Sequence, residues 1–304
     1  MTFVAAHLAP MEERWQRRNE DWRSICEGLV FERGSGDARA SKGSGEGEEE
    51  PLLSNVDQAE SSQGRVNSMF EPASHLFFAG DLNYRTSDTK PSPDDHKDWP
   101  QPVGEASDPK HYTNHLPKDQ LTRELHARKT LHLLTEPPIT FPPTYKYSHA
   151  AQKHVAHTVT SAQRTLGDGR VIDTTHLDPR GEEEAWLWAP HRVPSWCDRV
   201  LFLDAAKPTV HAYTALPVQP TSDHRPVVLS CSIPRRQVDM ERVGSAPFKV
   251  RGDWRERRAA ARRLELVVGL AAYLSLTWEG EALLAGTIVG IIGGYLALRA
   301  LLGW

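Results

Sequence analysis

The sequence predicts an α/β domain followed by an apolar tail. Three observations carry this. Short apolar runs suited to strands alternate with amphipathic stretches over residues 1–235. Two long polar stretches, 34–67 and 148–188, interrupt that pattern. Residues 264–304 are then almost wholly apolar.

Composition sets the limits. The chain has 304 residues, 39% apolar and 25% charged, enough for one sizeable core. Its mean hydropathy of −0.52 assigns part of that length to loops. The net charge of −4 gives no reason to expect nucleic-acid binding. Three cysteines, Cys26, Cys197 and Cys231, make no disulfide framework and suit a reducing compartment. The first residues lack the basic start of a signal peptide and soon meet Glu12, Glu13 and Arg14.

Thr2 to Leu8 reads as a strand stopped by Pro10. Glu12 to Leu29 reads as a helix, because Trp15, Trp22, Ile25 and Leu29 recur at helical spacing. Residues 34–67, rich in Gly, Ser, Glu and Gln, read as a disordered insertion. His75–Ala79 is a short buried strand, 86–117 a Pro/Asp/His-rich loop, and Leu116–Leu134 a helix. A second weakly structured insertion is expected over 148–188, then strands at Val200–Leu203, Thr209–Ala215 and Val227–Ile233.

The end of the chain differs in kind. Residues 236–263 form a linker, and its part from 249 carries Lys249, Arg251, Arg255, Arg257, Arg258, Arg262 and Arg263. Leu266–Trp278 is apolar but too short to span a bilayer comfortably, which leaves an interfacial segment or half of a hairpin. Ala282–Leu302 is long enough to span, with Arg299 placed to snorkel. A pair of buried core helices is the other reading of this tail. The basic run predicts a cytosol-facing domain held by a C-terminal anchor, and attraction to anionic lipid headgroups. A plain solvated linker is the alternative.

Three polar segments stand beside the apolar runs. Asp81 and Asn83, in Gly80-Asp81-Leu82-Asn83-Tyr84-Arg85, share one side of an extended chain. An Asp there suits deprotonating water, and an Asn suits donating to phosphoryl oxygens. An Asx turn explains the same residues. Asp223-His224 precedes the last strand and suits an orienting pair with a protonated imidazole, or a surface loop. His7 closes the first strand as a second phosphate contact or a structural histidine. In Pro194-Ser195-Trp196-Cys197-Asp198-Arg199, an Asp198–Arg199 pair is expected to brace the loop, and Cys197 is expected to be structural.

Taken in order, these segments resemble the inositol polyphosphate 5-phosphatases. So do Phe3–Ala9, Arg18–Asp21, Asp119-Gln120-Leu121, Phe141-Pro142-Pro143-Thr144-Tyr145-Lys146-Tyr147 and Ser222–Pro226. The resemblance covers 1–235 apart from the two insertions. It implies the endonuclease/exonuclease/phosphatase fold, a two-sheet sandwich flanked by helices. It implies that His7 and His224 contact the scissile phosphate, Asp81 prepares water, Asn83 sits beside it on the phosphate, and Asp223 orients or assists at the metal. Tyr145, Lys146 and Arg192 then bind another ring phosphate.

The implied cofactor is Mg²⁺, and the implied substrate a phosphoinositide lipid such as phosphatidylinositol 4,5-bisphosphate. The family's metal-binding Glu lies on a strand upstream of the one bearing His7, so the domain is expected to be incomplete at its N-terminus and without that ligand. Pro190 stands where the family often has a lysine. A tail-anchored phosphoinositide 5-phosphatase, placed at the endoplasmic reticulum, is the reading these features support. A catalytically silent phosphoinositide-binding module and a nuclease of the same superfamily are its rivals.

Overall fold

The computed structural model describes residues 1–31, 67–70, 74–165, 171–173, 185–235, 238 and 245–303. They divide into two units, Met1–Lys249 and Val250–Trp304. Most of the 34–67 insertion lies outside the described residues.

In the first unit the strands are β1 (Thr2–His7), β2 (Val30–Phe31), β3 (Asn67–Ser68), β4 (Leu76–Asp81), β5 (Leu134–Thr135), β6 (Gln163–Thr165), β7 (Val171–Asp173), β8 (Asp198–Leu203), β9 (Thr209–Ala215) and β10 (Val227–Ser232). The helices are α1 (Trp15–Gly28), α2 (Gln120–His126) and α3 (His149–Ala162). The main sheet has the order β1-β4-β8-β5. β1 runs parallel to β4, while β8 is antiparallel to β4 and β5. β9 and β10 form a second, antiparallel sheet.

α1 packs on the main sheet through a stripe at spacing four, Arg18, Trp22 and Cys26, all buried. Trp22 meets Phe78 of β4 edge-on, with ring centres 5.2 Å apart. The arginine within this stripe is bonded through both of its terminal nitrogens, while its Nε is buried without a hydrogen bond. Its Nη1 donates to the carbonyls of Ala9 (3.0 Å) and Met11 (2.7 Å), and its Nη2 to Gln120 Oε1 (2.5 Å). Burial pulls the pKa of Arg18 down to about 10, against the charges of Tyr84 and Glu12. Arg18 therefore moulds the 8–14 loop against α2.

Three sequence expectations change. The helix read over Leu116–Leu134 is a single 3₁₀ turn, Leu116–Lys118, followed by α2. Pro117 cannot continue a helix backwards, and Asp119 caps a new one by accepting from Thr122 N at 2.9 Å. Arg128, Leu131 and Leu133, at positive φ, end it. Within 148–188, the described residues include α3, and Ala151, Trp186 and Trp188 enter an aromatic cluster with Trp99 and Tyr147. In the second unit the basic run and the short apolar segment join as one helix, α4 (Trp254–Leu276). Arginine propagates helix well, so no break falls between them.

α5 (Trp278–Leu302) follows after one residue. Thr277 makes that turn. Its Oγ1 accepts from Gly280 N (3.1 Å) and donates to Tyr273 O (2.7 Å). A side chain at Gly280 would strike Tyr273 O at 2.1 Å. α5 is long and apolar enough to cross a membrane. At about 1.5 Å per residue its length exceeds a hydrocarbon core of about 30 Å.

Gly80 fixes how closely β1 approaches β4. Its φ is +140°, and a Cβ there would lie 2.0 Å from Ala6 O. Gly80→Ala is therefore expected to lower stability by about 3 kcal/mol, read as a lower urea midpoint at unchanged slope.

Candidate active site

Three strands bring three polar residues to one level. In the sheet register His7 of β1 stands opposite Asp81 of β4, and Asp81 stands opposite Asp198 of β8. His7 and Asp81 follow the apolar runs of their strands and Asp198 precedes that of its antiparallel neighbour, so the row lies at one end of the sheet. His7 is mostly exposed, and its Nε2 is 3.6 Å from Asp81 Oδ2.

His224 closes the row from the loop before β10. Its Nδ1 pairs with Asp198 Oδ2 at 2.8 Å, and its Nε2 lies 4.0 Å from Asp81 Oδ2. Thr144 Oγ1 also donates to Asp198 Oδ2, at 2.7 Å. A backbone bridge links His224 to Tyr145, whose ring centre is 4.6 Å from the imidazole. Burial lowers the pKa of His224, but its bond to Asp198 and the charges of Asp198, Asp81 and Asp223 outweigh that and raise it above the ordinary value. Burial first, then the charge of Asp198, raises Asp81 above the usual carboxylate range. The site thus pairs a carboxylate and an imidazole that both hold a proton more tightly than usual.

The Asx turn is present as well: Asn83 N donates to Asp81 Oδ1 at 3.0 Å. The turn holds one carboxylate oxygen and leaves Oδ2 facing the two histidines. Asn83 departs from its expected place on the phosphate. It is buried, its Nδ2 donates to Leu8 O at 3.1 Å, and its Oδ1 accepts from Arg85 Nη2. Here it braces β1 and β4. Its φ of +57° suits an asparagine in such a turn.

Of the residues expected to bind a ring phosphate, Tyr145 and Lys146 adjoin the Asp223-His224 loop. Lys146 Nζ is 2.8 Å from Asp223 Oδ2. Burial raises the Asp223 carboxyl, yet the hydrogen bond and charge of Lys146 leave it below its ordinary pKa. Arg85 lies over the Tyr145 ring, 4.4 Å from its centre. Arg192 stands further off. Its Nη1 donates to His191 O (3.0 Å) and its Nη2 to Met11 Sδ (3.3 Å).

The expected Asp198–Arg199 brace does not form. Asp198 serves His224, while Arg199 binds Asp119 and Glu136. Alternation explains this, since neighbours on a strand point to opposite faces. Asp198, Arg85 and Thr144 are the site residues missed by sequence reasoning. All three lay inside motifs already singled out, but a partner on another strand is invisible in one. Cys197 is fully buried, and burial raises its thiol pKa well above the ordinary value, so it is no nucleophile.

Among the described residues no group of three or more His, Cys, Asp or Glu assembles to hold a metal. Asp198 gives its Oδ2 to His224 and Asp223 gives its Oδ2 to Lys146, so one oxygen of each carboxylate is already engaged. The donors present do not fit a magnesium centre.

This fold and row of residues define a class. A family model described as Endonuclease/Exonuclease/phosphatase family 2 matches residues 1–230, and the chain belongs to that family. Its curated relatives are inositol 5-phosphatases. Inositol-1,4,5-trisphosphate 5-phosphatase 1 of Schizosaccharomyces pombe is 25% identical over 80% of this chain and 15% of its own length. Human phosphatidylinositol 3,4,5-trisphosphate 5-phosphatase 1 is 27% identical over 74% of this chain and 14% of its own. A crystal structure of the synaptojanin inositol polyphosphate 5-phosphatase domain, with inositol (1,4)-bisphosphate and calcium, is 22% identical. It covers 88% of this chain and 54% of that one, at a TM-score of 0.42. The chain thus spans about a seventh of the length of those two curated relatives.

The Asp198–His224 bond predicts a pH dependence. An imidazole whose folded pKa is raised adds stability that is full below the unfolded value of about 6.5 and is lost as pH rises through the folded one. Asp198→Asn is expected to bring the His224 titration down towards 6.5, as read by imidazole NMR. The same variant should lose more stability at pH 6 than at pH 9 in paired urea melts.

Proposed function

We propose that this chain is a phosphoinositide 5-phosphatase of the membrane surface, with phosphatidylinositol 4,5-bisphosphate as substrate. The observation that carries the reading is the row Asp81, Asp198 and His224, with cationic Lys146 paired to Asp223 beside it. Asp81 Oδ2 takes the proton of a water aligned on the phosphorus, and its raised pKa makes it a better base. His224, protonated and held by Asp198, faces the negative charge that builds on the phosphoryl oxygens. His7, exposed at the end of β1, makes a second contact on that group. Lys146 and Arg192 bind a neighbouring ring phosphate and so fix which ester is presented.

Magnesium is the cofactor expected of such an enzyme, and when bound it would supply charge to the phosphoryl oxygens. The described residues do not form its site, so no step here passes through it. The same observation favours a second reading, a silent module that binds the lipid headgroup without cleaving it.

α5 and the basic start of α4 place the domain at its substrate. α5 spans, and Arg255, Arg257, Arg258, Arg262 and Arg263 stay on the cytosolic side. With a modest apolar tail, the endoplasmic reticulum is the proposed membrane.

Two outcomes test this. Full-length protein in detergent should release phosphate from short-chain phosphatidylinositol 4,5-bisphosphate with Mg²⁺ and not with EDTA. Asp81→Asn should lower kcat by about 100-fold or more, with a melt unchanged from wild type. Saturable binding without release would select the silent module, and neither binding nor release would reject both readings. Deleting 278–302 should move the expressed protein from the alkali-resistant membrane pellet to the supernatant.

A further inference from the structure

Glu12 belongs to no part of the mechanism above, yet it is the most unusual carboxylate in the first unit. It is fully buried, and neither carboxylate oxygen has a hydrogen-bond partner. Burying such a group is costly unless opposite charge surrounds it. Three arginines do so. Arg192 Nε lies 3.9 Å from Glu12 Oε1. The charge of Glu12 also acts on Arg18 and Arg85, where it opposes burial; burial prevails at Arg18, whose pKa is lowered, and not at Arg85, whose pKa is raised.

The backbone is shaped to put it there. Met11, just before it, has φ 79° and ψ 150°, a region that residues with a side chain rarely adopt. The strained turn is clamped from both sides. Met11 O accepts from Arg18, and Glu12 O accepts from Gln120 Nε2 at 2.9 Å. Met11 Sδ also accepts from Arg192. The strain turns the Glu12 side chain inward, where a surface carboxylate would otherwise meet water.

One of the three arginines reaches the candidate site and another reaches solvent. Arg85 stacks on Tyr145, which lies against His224. Arg192 is the partly exposed member of its pair with Glu12. Since Glu12 makes no hydrogen bond to Arg192, it cannot fix the direction of that guanidinium. What it supplies is charge.

We infer that Glu12 is a specificity-determining residue that lies against Arg192, cancels part of its positive charge, and so limits how many phosphates the site favours. The inference rests on the reading of Arg192 as a ring-phosphate contact. It carries an unusual sign: removing a buried ion-pair partner should strengthen ligand binding. A residue with a merely structural role would weaken it.

The test is calorimetric binding to full-length protein in detergent, in EDTA so that nothing is cleaved. The probes are inositol 1,4,5-trisphosphate and inositol 1-phosphate. Glu12→Gln should bind the trisphosphate about fivefold more tightly at low salt and the monophosphate nearly as wild type does. The gain should fade as ionic strength rises. Arg192→Gln should bind the trisphosphate more weakly, and Glu12→Gln/Arg192→Gln should recover at least about threefold of that loss, because the two charges leave together. This comparison decides the matter should Glu12→Gln alone fail to fold, since replacing both members of a buried pair is often tolerated. A double variant no tighter than Arg192→Gln, or a folded Glu12→Gln no tighter than wild type, overturns the inference and leaves the phosphatase reading intact. No trisphosphate binding by wild type overturns both.

Discussion

The buried guanidinium of Arg199 is the interaction on which the first unit depends. It is fully enclosed and meets two carboxylates. Its Nη1 reaches both oxygens of Asp119 (3.1 and 3.0 Å), and its Nε reaches Glu136 Oε1 at 2.7 Å. Those charges, opposing its burial, raise its pKa well above the ordinary value. Asp119 also caps α2, and Glu136 also accepts from the Tyr213 hydroxyl of β9 at 2.5 Å. The Tyr213 hydroxyl in turn accepts from Val200 N of β8 at 3.2 Å. One side chain therefore ties a helix start, a loop and both sheets to the strand that carries Asp198. Such a network costs desolvation and returns little net stability, but losing one partner leaves a charge stranded. What it fixes is geometry.

That geometry reaches the site through alternation and register. Arg199 points into the protein, so Asp198 beside it points the other way, to the row with Asp81 and His7. α2 extends the same control. Gln120 follows the capping Asp119, and its Oε1 accepts from Arg18 and from Arg85 N. Arg18 holds the 8–14 loop and Arg85 lies over Tyr145. The 8–14 loop and the Tyr145 segment are thus braced by a few buried polar groups.

Much of this was legible in the sequence, and the reason is local. β9 begins and ends where the apolar run does, and β4 and β8 extend the predicted runs by only a residue or two. The polar segments beside the strands pointed to Asp81 and His224, and the family resemblance to Lys146. The rest depended on partners that no local pattern shows. Arg18 sits in a core stripe because the carbonyls it satisfies come from a loop and its amide partner from α2. The apolar residues around Leu131 suggested more helix, but they reach the core from a positive-φ turn. Asp198 was read as the partner of its neighbour, when strand geometry sends it across the sheet to His224. The helix through 254–276 was missed because a charged half and an apolar half look like two segments, although nothing in either breaks a helix.

Asp81 facing Asp198 is the last step. Like charges directly opposite on neighbouring strands destabilise a sheet. Here the cost is offset by His224, which bonds Asp198 and approaches Asp81 from the loop before β10. The consequence is a division of labour between two acids of the same kind. Asp198, bonded by Thr144 and His224, acts as a fixed counterion. Asp81, partly buried beside that charge, keeps one oxygen in an Asx turn and the other unbonded, with its proton affinity raised. An arrangement that stability alone would remove is what sets a carboxylate and an imidazole, both of raised proton affinity, within 4.0 Å of each other.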